Sequence, residues 1–326
     1  MSKLEKENNY LSSQLINFGN EINNEVLKEE NNQNHKFSSK NNNFFLMFSL
    51  PLFSLNSDKE TKFTRENILL SFKSQKLTKQ LQKNLVGISK EMINKIINEL
   101  SGIFRECIKN KNGNYFCSNL IKICNKAQRY SILKELSNTL SEDCIDQYGT
   151  HPIQNLIEIA SSEEEFKLIL SSFNDLNEVI MPSLNKYGTY VIQKIIIHIP
   201  EEIRMYFNLI FVNFICVLSR DIYGVLAVKQ FIYYSKNKNI INTFTNSIFN
   251  NFISICENKY GNYLIQYLLE IWWNKKEGEC LKKYILSKFQ ILSENEYSSH
   301  ICNLYTKLSN GIIENNQKKL KLKKDK

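Results

Sequence analysis

Six short triplets in this 326-residue chain place the same kinds of side chain at the same spacing. They are Asn114, Tyr115 and Ser118; Thr150, His151 and Gln154; Thr189, Tyr190 and Gln193; Val225, Leu226 and Lys229; Asn262, Tyr263 and Gln266; and Ser299, His300 and Asn303. A tyrosine or histidine ring stands second in five of the six, and such a ring stacks on an unpaired base for roughly 1–3 kcal/mol. A glutamine or asparagine amide carries both a donor and an acceptor for a base edge. One such pair is an ordinary semi-polar helix surface. A ring kept at one offset through five copies is a binding surface, because an exposed aromatic ladder otherwise costs solubility.

The chemistry indicated is recognition without bond breaking. No phosphate loop, no nucleophile–base pair and no metal-ligand spacing is present, so the reading is non-enzymatic, with no cofactor and no metal. The eight cysteines include no C-x-x-C pair and mostly sit in apolar helical runs, which makes them reduced core residues of an intracellular protein. A formal charge of +9 permits an acidic partner, although six lysines lie in the tail 318–326. The first twenty residues are polar and predict no cleavable signal peptide. The most apolar run, 44–55, is shorter than the roughly 20 residues a membrane helix needs and contains Pro51.

The triplets belong to a longer phrase. Asn258-Lys-Tyr-Gly-Asn-Tyr-Leu-Ile-Gln266 is nearly repeated as Asn185-Lys-Tyr-Gly-Thr-Tyr-Val-Ile-Gln193 and as Asp146-Gln-Tyr-Gly-Thr-His-Pro-Ile-Gln154. Its glycine falls at Gly113, Gly149, Gly188, Gly224 and Gly261, with Ser298 in the same slot, in steps of 36, 39, 36, 37 and 37 residues. A period of this size marks a solenoid. A worn seventh copy spans Ser71–Lys79, with Ser74 in the glycine slot.

After each glycine the apolar residues fall at offsets 3, 4, 7 and 8, one face of a helix. Val191, Ile192, Ile195 and Ile196 are an example, as are Leu264, Ile265, Leu268 and Leu269. Offsets 1, 2 and 5 then share a stripe opposite that face. The Asx three residues before each glycine is placed to accept exposed backbone N–H groups, and the glycine to permit a tight bend. A second helical pattern follows in each period, as in Glu163–Leu170 and Pro200–Phe207, each with acid in its first turn. The predicted unit is helix, turn, helix, stacked about seven times.

Domain organisation follows from composition. Residues 1–60 are a low-complexity, disordered N-terminal segment whose 44–55 run is either a cap on the first unit, the favoured reading, or a short partner-binding motif; residues 61–314 are the repeat domain; residues 315–326 are a basic tail.

Over residues 65–310, the Tyr-Gly-x-Tyr-x-x-Gln phrase at this period resembles the Pumilio (PUF) family of RNA-binding proteins. The resemblance implies an all-α, right-handed superhelix, a crescent whose inner helices bind single-stranded RNA one base per repeat. The triplets at 114–118 and 150–154 resemble the family's second and third repeats, and those at 262–266 and 299–303 its sixth and seventh. It implies that Asn262 and Gln266 read a uracil edge while Tyr263 stacks, and that Thr189, Tyr190 and Gln193 form a second uracil reader. Gln154 matches the usual edge-reading residue. Ser299 matches the serine of a guanine-reading repeat, but Asn303 replaces the expected glutamate. Ser118 replaces a glutamine. Val225, Leu226 and Lys229 supply neither ring nor amide, leaving Lys229 to touch phosphate.

No eighth repeat fits; alternatively Tyr297–Asn310 is the family's C-terminal half-repeat and the repeat numbering shifts by one. The implied function is U-rich 3′ UTR binding by a monomeric, cytoplasmic regulator that represses messages through co-repressors on its outer face, with no membrane partner. Two alternatives stay open. One is a nucleolar relative with weak base preference. The other is a peptide-binding scaffold of the HEAT or armadillo kind, for which the period is slightly short.

Overall fold

The computed structural model describes residues 62–311, which lie within one compact unit spanning 56–326. The expectations for residues 1–60, including the 44–55 run, and for the tail 315–326 fall outside the described residues.

Helices come in threes. The first triplet is α1 (Arg65–Ser71), α2 (Gln75–Lys83) and α3 (Lys90–Leu100). The second is α4 (Phe104–Lys109), α5 (Gly113–Ile123) and α6 (Lys126–Leu136). The third is α7 (Leu140–Asp143), α8 (Thr150–Ile159) and α9 (Glu163–Ser171). The fourth is α10 (Leu176–Leu184), α11 (Gly188–His198) and α12 (Met205–Asn213). The fifth is α13 (Ile215–Ser219), α14 (Gly224–Tyr234) and α15 (Lys238–Asn250). The sixth is α16 (Phe252–Cys256), α17 (Gly261–Trp272) and α18 (Lys276–Ser287). A final pair, α19 (Phe289–Glu294) and α20 (Ser299–Ser309), closes the described residues, which contain no strand.

The middle helices pack on one another in sequence order, α2 to α5, α8, α11, α14, α17 and α20, forming one continuous layer of a solenoid. The third helices form the opposite layer, with α3, α6 and α9 in one run and α12 against α15. The apolar offsets behave as their spacing predicts. Val191, Ile192, Ile195, Ile196, Leu264, Ile265, Leu268 and Leu269 are all fully buried, as are Ile153, Leu156 and Ile157. Each such burial contributes about 1.5–3 kcal/mol.

The unit is therefore three helices where the sequence predicts two. The short helix before each Asx was merged with its predecessor, and at three of the joins little punctuates the break. Phe214 ends α12 and starts α13, Asn251 ends α15 and starts α16, and Lys288 ends α18 and starts α19. None is Gly or Pro, so the helical period runs through the break. The 39-residue step is accommodated by α10, nine residues long where α13 and α16 have five. The helix expected from Pro200 begins at Met205 instead. Glu201 turns to the next unit, where its carboxylate accepts the Lys236 and Asn237 backbone N–H groups at 2.9 and 3.0 Å.

The Asx residues do what their spacing predicts. Asn185 Oδ1 accepts the N–H groups of Tyr187 and Gly188 at 2.8 and 3.1 Å; Asp221 and Asn258 repeat the arrangement. The glycines serve a different purpose from the one expected. The motif glycines are absent from the positive-φ positions among the described residues, so no left-handed bend is involved. A Cβ on Gly188 would sit 2.6 Å from the carbonyl oxygen of Pro182, six residues earlier; on Gly113 it would sit 2.6 Å from that of Cys107. Close approach of the short helix to the motif helix is what demands glycine. Ser298 meets the equivalent carbonyl differently: its hydroxyl donates to Leu292 O at 2.7 Å.

Candidate nucleic-acid interface

The three stripe offsets occupy different depths. At offset 2 the rings stand out from the helix layer: Tyr115 is 60% exposed, Tyr190 52% and Tyr263 54%, so a ring face remains free to stack. His151 and His300 are exposed too. At offset 5, Gln154, Gln193, Lys229 and Gln266 are half-buried, Ser118 is buried and Asn303 is exposed. Offset 1 departs from the predicted stripe. Asn114, Thr150, Thr189, Val225 and Asn262 are buried, and only Ser299 is partly open. The 100° geometry treats each helix alone, whereas offset 1 faces the next unit. The Thr150 hydroxyl donates to Tyr187 O at 3.2 Å, and the Thr189 hydroxyl to Tyr223 O at 3.1 Å, each in the following repeat.

That burial orients the glutamines. A threonine hydroxyl has one proton. Thr150 spends it on Tyr187 O, so its oxygen must accept from Gln154 Nε2 at 3.0 Å. Thr189 and Gln193 stand in the same relation at 3.4 Å. In the sixth unit both Asn262 amide protons go to the carbonyls of Asn258 and Lys259, leaving Asn262 Oδ1 to accept from Gln266 Nε2 at 2.8 Å. Each glutamine is thereby held with its carbonyl oxygen and one N–H unused by this bond. A fixed acceptor beside a fixed donor is a preorganised partner for a base edge.

The remaining triplets lack this relay. Asn114 donates to the carbonyls of Asn110 and Lys111, but Ser118 cannot supply an amide. Ser299 turns its hydroxyl back to Glu296 O at 2.9 Å. In the fifth unit Val225 is buried, Leu226 is exposed, and Lys229 lies with its ammonium 5.9 Å from the Tyr263 ring centre and 5.6 Å from that of Tyr267. Burial pushes this ammonium below the ordinary lysine range.

Sequence reasoning missed the surroundings of two triplets. Tyr267, at offset 6, was counted in neither the core nor the stripe, yet it packs on Lys229, and burial pushes its hydroxyl up to about 12. In the first unit, Gln75, Lys79 and Gln82 on α2 join Asn112 and Tyr115 around a cleft of about 210 Å³. The signal was present, since Gln75 and Lys79 stand at offsets 1 and 5 from Ser74. Among the described residues no group of three His, Cys, Asp or Glu side chains could hold a metal ion, and no helix is long and apolar enough to cross a membrane.

Comparison with known proteins adds the following. Residues 104–137, 144–171, 183–206 and 251–271 match the family model of the Pumilio-family RNA binding repeat. No curated protein matches the chain by sequence. Solved structures do match its fold. The RNA-binding domain of yeast Puf5p bound to SMX2 RNA is 21% identical with a TM-score of 0.64, covering 79% of this chain and 70% of that one. The Puf4 RNA-binding domain bound to the HO endonuclease 3′ UTR recognition sequence is 19% identical with a TM-score of 0.67, covering 71% and 72%. PUF-8 in complex with PBE-RNA is 19% identical with a TM-score of 0.66, covering 74% and 72%.

Proposed function

We propose sequence-selective binding of single-stranded, U-rich RNA along the layer of motif helices, for a chain four of whose segments match the Pumilio-family RNA binding repeat. The observation that carries this reading is the oriented amide beside an exposed ring, in the third, fourth and sixth units. Uracil presents an N3–H donor flanked by carbonyl acceptors, and a glutamine held with one oxygen and one N–H free complements it. Tyr190 and Tyr263 stack, as does His151. Ser118, Ser299, His300 and Asn303 contribute contacts of lower selectivity, because none belongs to such a relay.

The similar structures contain RNA, several of them 3′ UTR elements, which supports messenger RNA as the ligand class. Repression of translation or message stability, through co-repressors on the layer of third helices, is the corresponding role, for a monomer acting in the cytoplasm. A nucleolar role with weak base preference is the second reading. Lys79 favours it, an exposed lysine where other units put an amide.

In-vitro selection from a random RNA pool separates the two. We expect short U-containing motifs for the parent, and relaxed choice at one fixed position for the Tyr263→Ala, Gln266→Ala double variant. Binding without enrichment, falling steeply with salt, would favour the second reading.

A further inference from the structure

The fifth unit holds a cation without a hydrogen-bond acceptor where its neighbours hold amides. Lys229 is half-buried on the tyrosine rings of the sixth unit; Glu270 of that unit acts on its charge from beyond ion-pair distance, and among the described residues nothing accepts a hydrogen bond from it. A desolvated ammonium with three donors and no acceptor partner is costly unless something supplies one. Its setting differs from that of Lys79, which stands at the same offset in the first unit but is exposed, as suits a phosphate contact. Lys229 instead shares the depth of Gln154, Gln193 and Gln266, the row that faces base edges.

Resting on the RNA-binding reading above, we propose that Lys229 is the specificity-determining residue of the fifth unit, selecting a base that offers two adjacent acceptors. Guanine offers N7 and O6, and cytosine offers N3 and O2; adenine and uracil carry no two acceptors side by side. Val225 and Leu226 add no acceptor that a base donor could use. The Leu226 side chain, exposed beside the Tyr263 ring's unit, gives an apolar surface against the base without base preference. The chain would thus read a U-rich stretch interrupted by one guanine or cytosine.

The test is equilibrium binding of the full chain to its selected RNA, with all four bases substituted at each position. Parent, Lys229→Gln, Lys229→Met and Tyr263→Ala proteins are compared. The expected result is a preference of roughly tenfold to hundredfold for guanine or cytosine at a single position in the parent. Lys229→Gln moves that position towards adenine or uracil, and Lys229→Met flattens it. The four-base series tells guanine from cytosine, and replacing a selected guanine by 7-deazaguanine, which lacks the N7 acceptor, should abolish the preference if the N7/O6 edge is the one read.

Equal loss for all four bases in Lys229→Met, with the salt slope reduced by about 0.7, would make Lys229 a phosphate contact and overturn the proposal. An unchanged base preference in Lys229→Gln would overturn it as well. If the parent binds no RNA, the reading beneath it fails too, and Tyr263→Ala then has no effect either.

Discussion

The fourth and fifth units share a scaffold and differ at the surface that meets a ligand. In α11 and α14 alike, an Asx carboxyl or amide oxygen takes two backbone N–H groups, a glycine packs against a carbonyl six residues back, and the apolar face is buried. Yet α11 presents Tyr190 and an oriented Gln193, whereas α14 presents Leu226 and a Lys229 without a hydrogen-bond partner among the described residues. Stacking is satisfied by one set of positions and recognition by another. A repeat can therefore change what it reads without losing its place in the array.

The strongest test of that separation is a scaffold change far from the stripe. Glu165 is buried and receives the Arg129 guanidinium at 2.8 and 3.3 Å, joining α6 to α9. Glu165→Ala leaves a buried cation unpaired, and we expect a loss of about 3–5 kcal/mol in urea unfolding. Burial alone would raise the Glu165 carboxyl, but the Arg129 guanidinium and the Ser161 N–H hold it below the ordinary carboxylate value. A lowered folded pKa means this contribution is complete above pH 4.5 and is lost as pH falls through the folded value. Acid titration of stability should lose that component in Glu165→Gln.

Next in size, Gly188→Ala should cost about 1–3 kcal/mol by overpacking against Pro182, again irrespective of ligand. Tyr263→Ala belongs to the other class. It should weaken RNA binding by about 1–3 kcal/mol while changing stability by no more than about 0.5 kcal/mol, measured by titration and by urea unfolding. Leu226→Ala, the matching truncation in the fifth unit, should weaken binding less than Tyr263→Ala, because it removes no ring. Equal losses at both positions would erase the contrast between the units. The smallest effect concerns the thiols. Burial pushes Cys107 and Cys124 up to about 12, while Cys280 is exposed. In the native protein Cys280 should react with a thiol reagent well before these two.

Much of this molecule is legible in one dimension. The period, the apolar offsets and the Asx–Gly pairing are local, and each recurs often enough for a pattern to stand above chance. The short helices are not legible. At the joins marked by Phe214, Asn251 and Lys288 no Gly or Pro marks the break, and the motif helix of the next unit is what the short helix packs against. The start of α12 was misplaced for a related reason, since Glu201 looks like a first-turn acid but caps a helix in the neighbouring unit.

By itself the amino-acid sequence determined a helical solenoid and which side chains recur at each offset, because helical periodicity and repeat length are properties of neighbouring residues. It could not distinguish offset 1 from offsets 2 and 5, since that distinction depends on the repeat packed alongside. Tertiary structure decided that Thr150 and Thr189 are buried braces bonded to the next unit, and that their oxygens orient Gln154 and Gln193. It also decided that Lys229 lies on two tyrosine rings of the following helix. Hydrogen-bond direction and desolvation depend on what surrounds a group in space, and those surroundings come from residues more than thirty positions away.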